Sequence, residues 1–332
     1  MHLNTKPIVF FILLAVSTLV INNVYSSPFL PYQEAQQTED TQPNGKGDPE
    51  KAEEIKPEVA ATDTEATQDE ATEDDHQHDV IINLPVNAFD QQQQDIKHYL
   101  TQEKIIPIMV GTDKYLTIIN QHTTPVNKGV MVLIPDWQQS ITTPYALNQL
   151  RKNMPDQGWT TITLHPPNKP EGYPSQALTA EERNKENIEI LENYGKKFAE
   201  VMQATIEQAK RFPGGIIVIA EGNNSAVLLD IYQQGLVGAP AAFIMLSSYM
   251  PTQPASEKIA QQLAVTDYPI LDLYLQRDHH LVQANAILRK ASAKRELKIY
   301  FRQKKLSNQV TGYYPKNSLT KEIISWLNSM GW

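Results

Sequence analysis

The chain has 332 residues, no cysteine and a formal net charge of −9 at pH 7. Without cysteine there is no disulfide framework, thiol nucleophile, cysteine-based zinc site or lipidation site for a lipoprotein. The charge lies mainly in residues 28–80, where 16 Asp and Glu accompany three Lys. Because this segment would repel phosphate, and no Lys/Arg stripe interleaved with aromatic residues occurs elsewhere, we do not expect nucleic-acid binding.

Residues 1–27 have the pattern of an export signal. Lys6 precedes an apolar run over residues 8–21, which is short for a bilayer span and fits the apolar core of a signal peptide. Small residues allow cleavage after Ser26 or Ser27, and the alternative is an uncleaved amino-terminal anchor. No later segment has the roughly 20 apolar residues of a membrane helix. We therefore expect a periplasmic or otherwise exported protein with no membrane span in its mature chain.

Residues 28–80 are acidic and low in complexity, with a tandem pentapeptide over residues 61–75. A segment with so few apolar residues cannot bury enough surface to offset the entropy of ordering it. The sequence therefore predicts a disordered linker between the signal and a folded domain over residues 81–332.

Residues 81–332 alternate apolar strand patterns with helical patterns. The predicted strands cover residues 105–110, 115–120, 129–134, 160–164, 216–219, 241–246, 270–275 and 297–302. The predicted helices cover residues 144–153, 179–211, 226–231, 284–293 and 319–330. The first two strands flank a Gly-Thr-Asp turn and suggest an antiparallel hairpin. The alternation that follows predicts an α/β domain with a mainly parallel sheet and helices on both faces.

The most informative stretch is residues 215–235, where an apolar β-branched run breaks sharply into a helical pattern. A strand, a very sharp turn and a helix are the shape of the nucleophile elbow of α/β-hydrolases, which has the motif G-x-S-x-G. Aligned on that motif, the chain has Gly222 at the position of the serine nucleophile. The pattern therefore predicts where a site lies, and it argues against the usual reaction there.

Several segments together resemble a family of uncharacterised bacterial α/β-hydrolase-like proteins, a domain of unknown function (DUF3530). They are KGVMVLIPDW at 128–137, GWTTITLHPP at 158–167, the elbow region, PILDLYLQRD at 269–278, and RQKKLS. The resemblance covers essentially all of residues 81–332. It implies an α/β-hydrolase fold in an exported proteobacterial protein, and it implies no assigned activity.

A serine hydrolase also needs a base and an acid beside its nucleophile. Asp278 follows a predicted strand, as the acid of a hydrolase does, although it also suits a surface position. The loop at residues 304–318, where the base is expected, contains no histidine. Relocated candidates are Ser225 with His165 or His279. Their structural alternatives are local bonding of Ser225 to helix amides and a buried His165 bonded to a backbone group.

Polar residues are expected to surround the elbow at the carboxyl edge of the sheet, where open parallel sheets keep their sites. The predicted binding crevice comprises Asp136, Trp137, Glu221, Gly222, Asn223 and Asn224. Asp136-Trp137 replaces the common oxyanion turn, and an anionic side chain there would oppose a developing oxyanion. No cofactor motif and no metal-binding motif is present, so neither a cofactor nor a metal is expected.

Three hypotheses follow. The leading one is a non-catalytic envelope protein that binds an unknown small molecule or an envelope protein. The second is a serine esterase or lipase-like hydrolase with a relocated, degenerate triad. The third is a purely structural envelope component with no ligand-shaped crevice.

Overall fold

An eight-stranded sheet organises the part of the chain that the computed structural model describes, residues 86–137, 139–143 and 145–332. The strands are β1 (Lys104–Val110), β2 (Asp113–Asn120), β3 (Gly129–Ile134), β4 (Trp159–Leu164), β5 (Gly215–Glu221), β6 (Ala242–Leu246), β7 (Ile270–Leu275) and β8 (Phe301–Leu306). The predicted signal peptide (residues 1–27) and linker (residues 28–80) lie outside the described residues.

The strand order is β1-β2-β4-β3-β5-β6-β7-β8. Strand β2 is antiparallel to both β1 and β4, whereas the strands from β4 to β8 pair in parallel. An eight-stranded sheet with this order and one antiparallel strand near its edge is the α/β-hydrolase fold, so the predicted fold class is confirmed.

Helices connect and cover the strands within the described residues. They are α1 (Ala88–Tyr99), α2 (Ala146–Asn153), α3 (Ala180–Ala209), α4 (Gly222–Gln233), α5 (Gln253–Ala264), α6 (His280–Arg295) and α7 (Lys316–Ser329). None of these helices combines the length and apolarity that crossing a bilayer demands.

Apolar side chains pack on both faces of the sheet. In β3, Val130 and Val132 belong to the cluster that also contains residues of α3, α4 and α5, while Met131 and Leu133 belong to the cluster formed with α2 and α7. This alternation follows from the two-residue period of a strand. Every residue of β3 is buried, as a strand covered by helices on both faces requires.

The last strand lies four residues beyond its predicted position, because residues 297–300 form a connection. Leu297 has a φ of +51°, which ends the helical geometry after α6. The amide of Lys298 then donates to Ala293 O at 3.0 Å, and its Nζ donates to the carbonyls of Thr266 and Tyr268. The predicted strand over residues 297–302 was therefore wrong except at its end.

Several helices also differ from prediction. Helix α4 begins at Gly222, four residues before the predicted start at residue 226, and α6 begins at His280, four residues before its predicted start. Helices α1 and α5 were not among the predicted helices. The earlier start of α4 brings the backbone amides of its first turn directly to the end of β5, where the candidate site lies.

Candidate functional site at the carboxyl edge of the sheet

The turn between β5 and α4 has the backbone of a nucleophile elbow. Gly222 directly follows the last residue of β5 and is the first residue of α4, and its φ is +56°. This left-handed region is costly for residues with a Cβ and is adopted readily by glycine. The position that carries the nucleophile in a hydrolase therefore has no side chain here.

The side chain of Asp136 occupies the space above Gly222. Asp136 follows β3 by two residues. A Cβ placed on Gly222 would lie 2.3 Å from Asp136 Cγ, 2.5 Å from Oδ2 and 2.6 Å from Oδ1. These distances are far below van der Waals contact, so a serine at position 222 and this position of Asp136 exclude each other.

The Asp136 carboxylate also takes the hydrogen-bond donors of the elbow. Its Oδ1 accepts from the amide of Asn223 at 2.7 Å, and the amides of Trp137 and Asn224 also favour its charged form. In a hydrolase, the oxyanion is held by the amide after the nucleophile together with one from the loop after β3. Asn223 and Trp137 hold those two positions. The carboxylate therefore fills the oxyanion site from within the protein.

Asp136 is half-buried, and removal from water raises its pKa to about 6 even though the three amide donors act in the opposite direction. The side chain is thus a carboxylate near neutral pH, held by backbone dipoles at the helix start.

Asn223 and Asn224 hold loops together within the predicted crevice. Asn223 Nδ2 donates to Tyr249 O at 2.8 Å, and Asn224 Nδ2 donates to Pro135 O at 2.7 Å. Tyr194 Oη donates to Asn224 Oδ1 at 2.7 Å. Both Asn side chains are buried, so they tie the ends of β3 and β6 to α4 and are not open to a ligand.

Trp137 is also part of the packing at this edge. Its ring contacts Tyr173 and Tyr194 edge-on, with centroids 5.6 and 5.7 Å apart. The structure thus brings all six residues of the predicted crevice together, and five of them are buried, with Asp136 half-buried.

Glu221 adds a buried carboxyl group beside Asp136. Its side chain is 5% exposed, and its Oε2 has no hydrogen-bond partner among the described residues. Burial raises the pKa of Glu221 to about 8, and the charges of Asp136 and Asp278 add to the effect. Glu221 is therefore largely protonated at neutral pH, chiefly because its buried position disfavours a charge and to a lesser extent because Asp136 is negatively charged.

Asp278 stands at the acid position after β7 and is fixed by three donors. Ser247 Oγ donates to its Oδ2 at 2.6 Å, the amide of Leu275 donates to the same oxygen at 3.0 Å, and the amide of His279 donates to its Oδ1 at 2.9 Å. Ser247 directly follows β6 and has a φ of +47°, which is unusual for a residue other than glycine. This geometry points its hydroxyl at Asp278.

Tyr314 occupies the place of the missing base. It lies between β8 and α7, in the loop where a hydrolase has its histidine. Its Oη is 2.7 Å from Ser247 Oγ and 3.2 Å from Leu273 O, and burial raises its pKa well above the ordinary value. A tyrosine that holds its proton this tightly cannot act as a base. Sequence reasoning missed Ser247 and Tyr314, although Tyr314 lies within the loop that was searched for a histidine.

Each residue proposed for a relocated triad has its own hydrogen-bond partner elsewhere. Ser225 is buried, and its Oγ donates to Gly222 O at 2.6 Å. The hydroxyl thus bonds locally as expected, but to a carbonyl and not to helix amides. No hydrogen bond joins Ser225 to a histidine in the described part of the chain.

The two histidines have structural contacts. His165 is buried, its Nε2 is 2.9 Å from Gln92 Oε1, and its ring lies against Phe89. Its partner is a side chain of α1, not the backbone group that was expected. Burial lowers the pKa of His165 to about 4. His279 is the N-cap of α6, and its Nδ1 accepts from the amide of Leu281 at 3.4 Å.

Within the described ranges, no group of three or more His, Cys, Asp or Glu side chains could hold a metal ion. Asp136, Glu221 and Asp278 therefore influence one another as charges at the same edge without forming a ligand set.

Residues 25–329 match the sequence profile of a family described as a protein of unknown function (DUF3530). The chain belongs to the DUF3530 family. The resemblance found in the sequence is thus confirmed, and DUF3530 carries no assigned activity. No curated protein sequence matches the chain.

Solved α/β-hydrolase structures resemble this DUF3530 protein in overall fold. An alpha-beta serine hydrolase homologue from Coxiella burnetii has 11% identity and a TM-score of 0.47 over 69% of this chain and 97% of that chain. A putative carboxylesterase from Lactobacillus plantarum has 11% identity and a TM-score of 0.48 over 69% and 98%. A putative dienelactone hydrolase from Klebsiella pneumoniae has 8% identity and a TM-score of 0.48 over 68% and 98%. Similarity at this level concerns the fold alone, which the strand order of this chain establishes by itself.

Proposed function

We propose that this DUF3530 protein is a non-catalytic α/β-hydrolase-fold protein of the cell envelope that binds a small molecule or a protein partner. The observation that carries the proposal is the Asp136 carboxylate, which fills the space above Gly222 and accepts from the amide of Asn223. A substrate carbonyl would need that same space and those same donors.

Each part of an acyl-transfer site is replaced by a group that cannot perform its step. Gly222 has no nucleophilic atom, Tyr314 holds its proton too tightly to act as a base, and Asp136 blocks the oxyanion donors. Covalent catalysis needs all three functions together. The acid position alone is retained, by Asp278.

The charge of this edge supports one kind of ligand over another. Asp136, Glu221 and Asp278 contribute three carboxyl groups, and the nearby polar side chains Ser247 and Tyr314 are already hydrogen-bonded to one another. A ligand or partner that brings hydrogen-bond donors or positive charge would suit this surface better than an anion.

A fluorophosphonate probe, which reacts only with activated serines, tests the absence of catalysis. We expect no labelling of the purified chain and no hydrolysis of short p-nitrophenyl esters above background. The serine esterase alternative predicts labelling that disappears in Ser225→Ala. Labelling lost in Ser247→Ala would instead place a nucleophile at the Asp278-bound hydroxyl. Either result would overturn the proposal.

Binding is tested by the shift in melting temperature that a panel of ligands produces. We expect a stabilising shift with cationic ligands such as polyamines or arginine-rich peptides and none with matched carboxylates. The shift should be lost in Asp278→Asn and retained in Asp156→Asn, an exposed acid far from this edge. An equal melting-temperature shift in both variants would show that Asp278 and the edge around it do not bind the ligand.

Export is tested by fusing residues 1–27 to alkaline phosphatase lacking its own signal. We expect phosphatase activity outside the cytoplasm, and mass spectrometry of the mature chain to begin at residue 27 or 28. An inactive fusion would refute export, while an intact amino terminus in the membrane fraction would support the uncleaved anchor.

A further inference from the structure

The edge of the sheet opposite the candidate site presents exposed apolar side chains. The connection between α6 and β8 contains Leu297, Ile299 and Tyr300, whose side chains are 82%, 82% and 55% exposed, and Val265 after α5 is 55% exposed. We name these four residues the apolar tip. Isolated exposed apolar residues need no explanation, but four at one place on a surface indicate a contact.

Hydrogen bonds hold the two connections of the apolar tip together. Lys298 Nζ donates to Thr266 O at 2.5 Å and to Tyr268 O at 3.1 Å, and the amide of Ile270 donates to Tyr300 O at 2.9 Å. The tip is thus one surface made of two chain segments. Because β7 and β8 both begin there, it lies at the amino-terminal edge of the parallel strands.

Leu297 extends into solvent at the end of α6. Its φ of +51° is the left-handed conformation that commonly ends a helix, closed here by the bond from the Lys298 amide to Ala293 O. Glycine is the usual residue in this conformation, yet the chain has a leucine whose side chain is 82% exposed. Packing among the described residues does not account for an apolar side chain at this position.

Exposed lysines lie on α6 beside the apolar tip. Lys290 and Lys294 are exposed, whereas Arg295 forms an ion pair with Glu296. The other exposed acid beside the tip is Asp267. Apolar side chains with lysines next to them match the two parts of an anionic bilayer interface, its acyl boundary and its phosphates.

We infer that the apolar tip is a peripheral membrane-binding surface for anionic lipid. Leu297, Ile299 and Tyr300 enter the interface, and the lysines of α6 contact headgroup phosphates. In this orientation the edge with Asp136 and Gly222 faces away from the bilayer. The inference does not depend on whether that edge is catalytic.

Other occupants fit less well. A second copy would bring lysines against lysines, and four side chains are far fewer than the roughly 20–30 residues a side of a stable protein interface. The acidic segment at residues 28–80 matches the charge but offers few apolar residues to cover Leu297 and Ile299. The membrane accounts for both the charge and the apolar exposure.

The test uses the full chain, which contains no cysteine, so one introduced cysteine is a unique labelling site. An environment-sensitive fluorophore is placed at Ile299→Cys and, as a control, at Leu178→Cys, which is 95% exposed in the loop after β4, at the opposite edge of the sheet. Each protein is mixed with phosphatidylcholine vesicles that contain or lack phosphatidylglycerol. We expect a blue shift at position 299 with phosphatidylglycerol only, and no shift at position 178.

A second measurement compares vesicle partition of the double variant Leu297→Gly/Ile299→Ser with that of Met109→Ser/Leu178→Ser, two exposed apolar residues away from the tip. The first should lower the partition coefficient roughly tenfold, since two apolar side chains leave the interface, and the second should not change it. Any contribution of residues 1–27 is common to all variants. Glycine at position 297 suits the backbone, so misfolding does not explain a loss.

The remaining outcomes overturn the inference. An equal shift at positions 178 and 299, or none at 299, would show that the apolar tip does not contact the membrane. A shift at 299 without vesicles that grows with protein concentration would indicate self-association. A shift without vesicles that high salt abolishes would indicate that residues 28–80 cover the tip.

Discussion

The carboxylate of Asp136 fills the volume that any side chain at position 222 would need. The nearest approach, 2.3 Å from a Cβ on Gly222 to Asp136 Cγ, leaves no room for both. The two residues follow different strands, β3 and β5, yet they form one unit with the amide of Asn223, which donates to Asp136 Oδ1.

Gly222→Ala should destabilise the fold by more than backbone strain alone. The matched control is Gly111→Ala, because Gly111 has a φ of +58° and nothing within 4 Å of its added Cβ. We expect about 1–2 kcal/mol for Gly111→Ala. The additional overpacking against Asp136 should add about 1–3 kcal/mol for Gly222→Ala, measured by urea unfolding.

The contact itself is isolated by the double variant Asp136→Ala/Gly222→Ala, which removes the carboxylate that the new Cβ would meet. Its loss of unfolding free energy should be smaller than the sum of the single losses. Equal costs for Gly111→Ala and Gly222→Ala would contradict the steric relationship.

Stability should fall as the pH rises through the range in which the buried carboxyl groups ionise. The pKa of Asp136 is raised to about 6 and that of Glu221 to about 8. The folded chain therefore holds protons that the unfolded chain releases. This contribution is complete below the ordinary carboxyl pKa and is lost as the pH rises through about 8.

Glu221→Gln should flatten the upper part of that profile. Between about pH 5 and 8 the unfolded chain has released this proton while the folded chain, with a pKa of about 8 for Glu221, still holds it. Over this range the variant should gain unfolding free energy relative to the native chain, on the order of a few kcal/mol by about pH 8. Unfolding in urea at several pH values measures the effect. Glu257→Gln on the exposed face of α5 is the control and should leave the profile unchanged. A native profile that rises with pH would refute the burial of Glu221 as an acid.

Tyr314→Phe should cost about 0.5–1.5 kcal/mol, since it removes the hydroxyl that contacts Ser247 Oγ and Leu273 O. Tyr232→Phe is the matched control: Tyr232 is also buried, and its Oη has no partner among the described residues. That control should be neutral or stabilising. Thermal unfolding of both variants measures the difference, and equal effects would show that the Ser247 contact contributes nothing.

Much of the sheet could be predicted because its central strands are mainly apolar. Strands β3 and β7 match their predicted limits, since β3 is a continuous apolar run and β7 is apolar except for Asp272. Strand β8 failed because it is polar, with the sequence FRQKKL, while the preceding connection contains exposed apolar residues. Its position is set by pairing with β7 and by the bonds of Lys298, which no local pattern reveals.

The candidate site, too, could be predicted from the sequence only in part. Gly222 and Asp278 could be located because each follows a recognisable strand. The direction of the Asp136 side chain could not, because it depends on the distance between β3 and β5 and on the donors of α4. The contact between Ser247 and Tyr314 joins residues 67 positions apart and depends on the left-handed backbone of Ser247.

The mutual exclusion of a side chain at position 222 and the carboxylate at position 136 bears on how such a protein can evolve. A lineage that acquired both residues could not regain a serine nucleophile by one substitution, because serine has no room until the aspartate is gone. Losing the aspartate first leaves vacant amide dipoles and still no nucleophile. A return to serine at position 222 therefore requires two substitutions and passes through an intermediate in which the space above that position is either crowded or empty.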